Sequence, residues 1–129
     1  MTLFSDPASG IADPFLRHAF ELAEHGRGTT SPNPLVGCVV VRDGKIVGEG
    51  FHERAGGPHA EVVALDSAGG LARGAHVYVT LEPCNHFGRT PPCTDRLLAE
   101  GVAAVTIGMR DPNAEGSGGG DEALAARGV

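Results

Sequence analysis

Three candidate metal donors lie far apart along this chain, and any single centre that used all of them would dictate much of its topology. His59 stands in Pro58-His59-Ala60-Glu61, Cys84 in Glu82-Pro83-Cys84, and Cys93 follows Pro92. One imidazole and two thiols are a known ligand set for a zinc ion that keeps its fourth position open. A structural zinc would want a fourth protein donor, and no further Cys or His lies at finger-like spacing. Glu61, two residues after His59, supplies a carboxylate that can act as a base beside the ion without ligating it. Taken singly, each piece has a plainer reading. A buried Cys often packs as a small hydrophobe, and an acid in a first helical turn is favoured by the helix dipole alone. The combination, with a proline before each of the three donors, points to metal binding. Cys38, in the middle of an apolar run, is expected in the core.

Composition narrows the class. A chain of 129 residues with 41% hydrophobic content suits one globular domain, long enough to bury roughly two thirds of its unfolded surface. Twenty glycines and nine prolines imply short elements joined by tight turns. Ten basic against sixteen acidic side chains leave a net charge of −6, which carries no basic footprint for nucleic acid. No apolar run reaches membrane-spanning length, and the N-terminus lacks the basic-then-apolar pattern of an export signal. Three cysteines is an odd count, better suited to ligation in a reducing cytoplasm than to a disulfide framework.

The order of elements follows from periodicity and turn chemistry. Residues 1–13 have no period and read as a loose lead-in. Asp13 is a good N-cap with Pro14 at the first helical position, and Phe15, Leu16, Ala19, Phe20, Leu22 and Ala23 recur at helical spacing to about His25. The prolines of Thr29 to Pro34 exclude helix there. Leu35 to Val41 reads as a buried strand, Asp43-Gly44 as a hairpin turn and Lys45 to Gly50 as the returning strand. A helix is predicted from Ala60 to Ala68, a strand over His76 to Leu81, a polar loop over Glu82 to Pro92, a helix from Cys93 to about Glu100 and a strand over Ala103 to Met109. A Gly-rich loop and a short helix over Asp121 to Arg127 complete the chain. The predicted fold class is α/β: a three-layer α/β/α sandwich with a mixed central sheet. His59 and Cys93 both fall at helix starts, where the positive helix end favours a thiolate.

On residue type alone Asn33, His52, His86 and Arg89 are as well explained as solvated loop residues or turn formers as by a pocket. The longer motifs carry more. His-x-Glu followed by Pro-Cys and a second Cys is the pattern of zinc enzymes that remove an amine from a base. The stretches Thr30-Ser31-Pro32-Asn33-Pro34-Leu35-Val36-Gly37, Gly57-Pro58-His59-Ala60-Glu61-Val62, Thr80-Leu81-Glu82-Pro83-Cys84 through Cys93, and Asp111-Pro112-Asn113 resemble the deaminase domain of the bifunctional riboflavin biosynthesis proteins. The long spacing from Cys84 to Cys93 separates it from cytidine, guanine and tRNA-adenosine deaminases, which usually place their two thiols two residues apart.

That resemblance implies a cytidine-deaminase-like fold and one zinc-dependent deaminase domain over 1–129. It implies hydrolytic deamination of 2,5-diamino-6-ribosylamino-4(3H)-pyrimidinone 5′-phosphate to 5-amino-6-ribosylaminouracil 5′-phosphate and ammonia. It further implies zinc on His59, Cys84 and Cys93, proton transfer by Glu61, and a substrate pocket lined by Asn33, His52, Ala60, His86 and Arg89. Homo-oligomers are common in the fold. The family normally continues into a reductase domain, whereas this sequence stops at Val129. The expectation is therefore a piece of a longer protein or a stand-alone deaminase served by a separate reductase. Ala114 and Gly119 depart from the family's usual proline and basic residue. Two other readings compete: a related zinc deaminase acting on another pyrimidine or purine, and a non-catalytic zinc module.

Overall fold

The computed structural model describes residues 13–31, 34–81, 83 and 93–109. Helix α1 spans Pro14–Glu24 and starts where the sequence says it should: the Asp13 carboxylate accepts the Phe15 N–H at 2.9 Å and the Leu16 N–H at 3.3 Å. Strands β1 (Gly37–Arg42) and β2 (Lys45–Phe51) form an antiparallel hairpin. Its two-residue turn puts Asp43 at φ 53° and Gly44 at φ 75°, the doubly left-handed geometry that an Asp-Gly pair accepts at least cost. A β-bulge between Val40 and Val41 shifts the register by one residue on β2.

Helix α2 (Ala60–Ala68) ends where predicted, and Gly69, at φ 59°, turns the chain into a single 3₁₀ turn over Gly69–Ala72. Strand β3 (His76–Leu81), helix α3 (Cys93–Ala99) and strand β4 (Ala104–Met109) follow. The sheet order is β2-β1-β3-β4, with β3 antiparallel to β1 and parallel to β4. The mixed sheet predicted from a hairpin followed by a β-α-β crossover is therefore present. The predicted helix over 121–127 lies outside the described residues.

β1 starts at Gly37 and not at Leu35 as predicted. Val36 still accepts the His52 N–H at 2.9 Å, but the Gly37 N–H turns to the Thr80 hydroxyl at 3.1 Å, beyond the last paired residues of β1 and β3.

Helices cover both faces, as a three-layer sandwich requires. On one face Val39, Val41 and Tyr78 pack with Ala19 and Leu22 of α1. On the other, Cys38, Val40, Val77 and Val79 pack with Ala60, Ala64, Leu65 and Ala68 of α2 and Leu97 of α3. α2 sits unusually close to the sheet. A Cβ on Gly48 would lie 2.8 Å from that of Ala68, and one on Gly50 would lie 2.7 Å from that of Val63. Glycine is the residue that fits there. None of the described helices is long and apolar enough to cross a membrane.

Candidate functional site

One end of the sandwich gathers the start of β1, the finish of β2 and β3 and the N-termini of α2 and α3. The Gly37↔Phe51 and Cys38↔Val79 pairs fix three of these strand ends side by side. Ligand sites of α/β folds form at strand C-terminal ends and helix N-termini.

His52 follows β2 directly and is 4% exposed. Its Nδ1 lies 2.9 Å from the Pro58 carbonyl. A carbonyl only accepts, so Nδ1 carries the proton and donates, which sets the tautomer. The ring thereby holds the residue just before His59, and the two imidazoles meet nearly edge to face, with centroids 5.8 Å apart. The Ala55 N–H donates to the Thr29 carbonyl at 3.1 Å, joining this loop to the segment that leads into β1.

His59 is the N-cap of α2, with extended backbone (φ −71°, ψ 157°) and no capping bond from its side chain. Its imidazole turns instead to Cys93, the first residue of α3, with Nδ1 and Sγ 3.1 Å apart. Zinc–nitrogen and zinc–sulfur bonds at a tetrahedral angle set such donors about 3.6 Å apart. The pair is therefore within a small side-chain adjustment of sharing an ion. The donor set fits zinc: borderline nitrogen and sulfur, with Cys93 at a helix start that stabilises thiolate.

Glu61 lies in the first turn of α2 and is 3% exposed, and Ala60, between His59 and Glu61, is fully buried. The Glu61 charge reaches Cys38 on β1 below it. Burial first, and that charge second, push the Cys38 thiol well above its ordinary value. Cys38 is fully buried among apolar neighbours, the core role expected of it.

Among the described residues, no three His, Cys, Asp or Glu side chains cluster as a metal site. The expected third donor, Cys84, lies outside them, as do Asn33, His86 and Arg89. Pro83, beside Cys84 in sequence, is fully buried. The structure thus brings His52, His59, Ala60, Glu61 and Cys93 to one end of the fold.

Two features escaped the reading of the sequence. Thr80 ties β3 to Gly37, and Arg96 links α3 to α2 through Asp66. A buried threonine in a strand of β-branched residues carries no signal of such a role. His76 stacks on Tyr78 with centroids 4.2 Å apart and meets the Thr106 hydroxyl at 2.6 Å. It opens β3, at the opposite end of that strand from the site.

Residues 11–109 match the family described as the cytidine and deoxycytidylate deaminase zinc-binding region. Over 115 residues the chain is 58% identical to the riboflavin biosynthesis protein RibD of Escherichia coli (strain K12), covering 89% of this chain and 31% of the relative. It is 50% identical to the diaminohydroxyphosphoribosylamino-pyrimidine deaminase of Buchnera aphidicola subsp. Schizaphis graminum, covering 89% of this chain and 78% of that one. A solved structure of a diaminohydroxyphosphoribosylaminopyrimidine deaminase/5-amino-6-(5-phosphoribosylamino)uracil reductase from Thermotoga maritima is 52% identical, with a TM-score of 0.85 over 89% of this chain and 34% of that one. The chain spans less than a third of the Escherichia coli protein, yet most of the Buchnera one. It belongs to the cytidine and deoxycytidylate deaminase zinc-binding family, on the branch of the diaminohydroxyphosphoribosylaminopyrimidine deaminases.

Proposed function

We propose that the chain hydrolyses 2,5-diamino-6-ribosylamino-4(3H)-pyrimidinone 5′-phosphate to 5-amino-6-ribosylaminouracil 5′-phosphate and ammonia. The observation that carries this is the convergence of His59 Nδ1 and Cys93 Sγ, 3.1 Å apart, with the buried carboxyl-bearing Glu61 two residues from His59. The name of the Buchnera relative supports the substrate.

His59, Cys84 and Cys93 would hold zinc, which when bound supplies Lewis acidity and brings the pKa of water toward neutrality. Glu61 moves the protons. Its carboxylate accepts the proton that water loses on adding to ring carbon 2, then returns it to the exocyclic nitrogen. The carbon–nitrogen bond breaks and ammonia leaves; the proton still on the added oxygen passes to the adjacent ring nitrogen, so the ring carbon keeps the oxygen as a carbonyl. His52 holds the Pro58 carbonyl and so the backbone that presents His59. Asn33, His52, Ala60, His86 and Arg89 are the proposed pocket, with Arg89 the natural partner for an anionic substrate. The same reading assigns a cytoplasmic location, a homo-oligomer, and a reductase carried on the same polypeptide or a separate one.

The test measures ammonia release from this substrate, with zinc content determined on the same sample. Turnover with zinc bound, cut by about 10²–10⁴ in Glu61→Gln while zinc is retained, is the expected result. Turnover of cytidine or guanine in place of the pyrimidinone would replace the substrate. Equal behaviour of wild type and Glu61→Gln would make the centre a non-catalytic module.

A further inference from the structure

The two described donors stand on different helices, so their separation depends on how α3 seats against α2. α3 is only seven residues long. Apolar contact between the helices comes from Leu97 and Leu65, both fully buried in one cluster. Such contact sets the depth of α3 but is non-directional, leaving sliding and rotation weakly specified. A directional link is also present. Arg96 Nη2 donates to Asp66 of α2 at 2.6 Å, and its Nε donates to Glu100, just past the end of α3, at 2.8 Å. The guanidinium is a rigid planar fork, so one acceptor on α2 and one just past the end of α3 fix its plane as well as its position. Arg96 is one turn after Cys93 and Asp66 follows His59 by seven residues on α2.

We propose that Arg96 is a positioning residue for the metal centre, clamping α3 to α2 through Asp66 so that Cys93 and His59 stand at ligand distance. The clamp acts through the helix backbones and touches neither substrate nor ion. An exposed ion pair contributes little to global stability, and Arg96 and Asp66 are 31% and 65% exposed. Its effect is therefore expected on the geometry of the centre more than on unfolding. This inference rests on the zinc reading above.

The experiment titrates the zinc-free full chain with cobalt(II), reading the visible absorption of a thiolate-ligated tetrahedral ion. The variants are Arg96→Met, Arg96→Lys, Asp66→Asn and the Arg96→Met/Asp66→Asn pair, with thermal unfolding of each zinc-free protein alongside. Loss of a direct outer-shell partner lowers metal affinity by about 10–100-fold. A clamp one step more remote should lower it about threefold to tenfold in each single variant, no further in the double variant, and less in Arg96→Lys. Unfolding temperatures should stay near wild type. Wild-type affinity and spectrum in the folded Arg96→Met and Asp66→Asn proteins would overturn the clamp while leaving the zinc reading intact. So would losses that simply add in the double variant, or affinity that falls only in proportion to stability. A wild-type chain that binds no cobalt would overturn the zinc reading and the clamp with it.

Discussion

On the α1 side of the sheet, Phe15, Leu16, Phe51 and Tyr78 fill the space between layers with rings and branched chains. At Gly37, alone among the described strand glycines, the α1 backbone at Ala19 and Ala23 also comes down onto the sheet. On the α2 side, Ala60, Ala64 and Ala68 form a stripe of small residues at helical spacing, and Val63, Ala64 and Ala68 lie directly over Gly48 and Gly50. Large side chains bury more apolar area and can repack when one is changed. Methyl groups set against glycine leave no room to repack, so the helix axis is held by backbone contact. The layer that carries His59 and Glu61 is seated this way at two strand glycines, against one under α1. The pattern assigns stability to one face and precision to the other.

The strongest way to break that division is to lift α2 off the sheet. In Gly50→Val the first added carbon would lie 2.7 Å from the Val63 side chain and 2.8 Å from the Ala64 nitrogen. Overpacking of this kind costs about 1–3 kcal/mol. A displacement of about 1 Å at a reacting group costs on the order of a hundredfold in rate. Turnover per folded molecule should therefore fall about a hundredfold in a protein that still unfolds cooperatively. Steady-state kinetics beside urea denaturation would check it. A folded Gly50→Val protein with normal turnover would sever the close seat of α2 from the chemistry.

The mirror experiment is on the other face. The Phe20 ring of α1 rests on Gly108 of β4, where an added Cβ would lie 3.0 Å from it. Phe20 is only half-buried, so Phe20→Ala should cost about 2 kcal/mol, below the usual range for a core phenylalanine. Turnover measured well below the unfolding transition should stay at the wild-type value. A large loss of kcat here, in a protein still folded, would mean that α1 also shapes the site.

Much of the fold was legible in the sequence. Asp13-Pro14, Asp43-Gly44 and Pro58-His59 mark a helix start, a hairpin and a second helix start by local chemistry alone, and each element begins where its signal stands. That His59, Glu61 and Cys93 gather at one end of the fold was readable for a related reason: taken together, an imidazole, a carboxylate and a thiol at predicted helix starts point to one place. What stayed hidden depends on contacts between distant segments. The Arg96–Glu100 pair is visible as an i, i+4 spacing, but its cross-helix partner Asp66 is thirty residues away. Thr80 reads as an ordinary strand residue until β1 is laid beside β3 and its hydroxyl meets the Gly37 N–H. The close seat of α2 was equally silent, because an alanine stripe and two strand glycines look like weak elements until they are stacked.

The smallest effect separates the two faces by pH. Among the described residues, each face buries an ionisable group whose pKa is raised: Cys38 by burial and then the Glu61 charge, Tyr78 by burial and then the Asp13 charge. In an unfolded chain these groups ionise near about 8.5 and 10 respectively. A raised folded pKa means that the native state keeps its proton where the unfolded state has lost it. The stabilising contribution is therefore complete below the unfolded value and is lost as pH climbs from there toward the folded one. Between about pH 8.5 and 10 the loss belongs to the α2 face, through Cys38. Above about pH 10 the α1 face joins in, through Tyr78. Denaturation midpoints of wild type, Cys38→Ala and Tyr78→Phe across pH 8–11 would resolve the two windows. Cys38→Ala should flatten the lower window, and Tyr78→Phe only the upper one. Parallel curves for wild type and Cys38→Ala below pH 10 would show that the buried thiol does not couple folding to pH, and the chemical asymmetry between the faces would then reduce to packing alone.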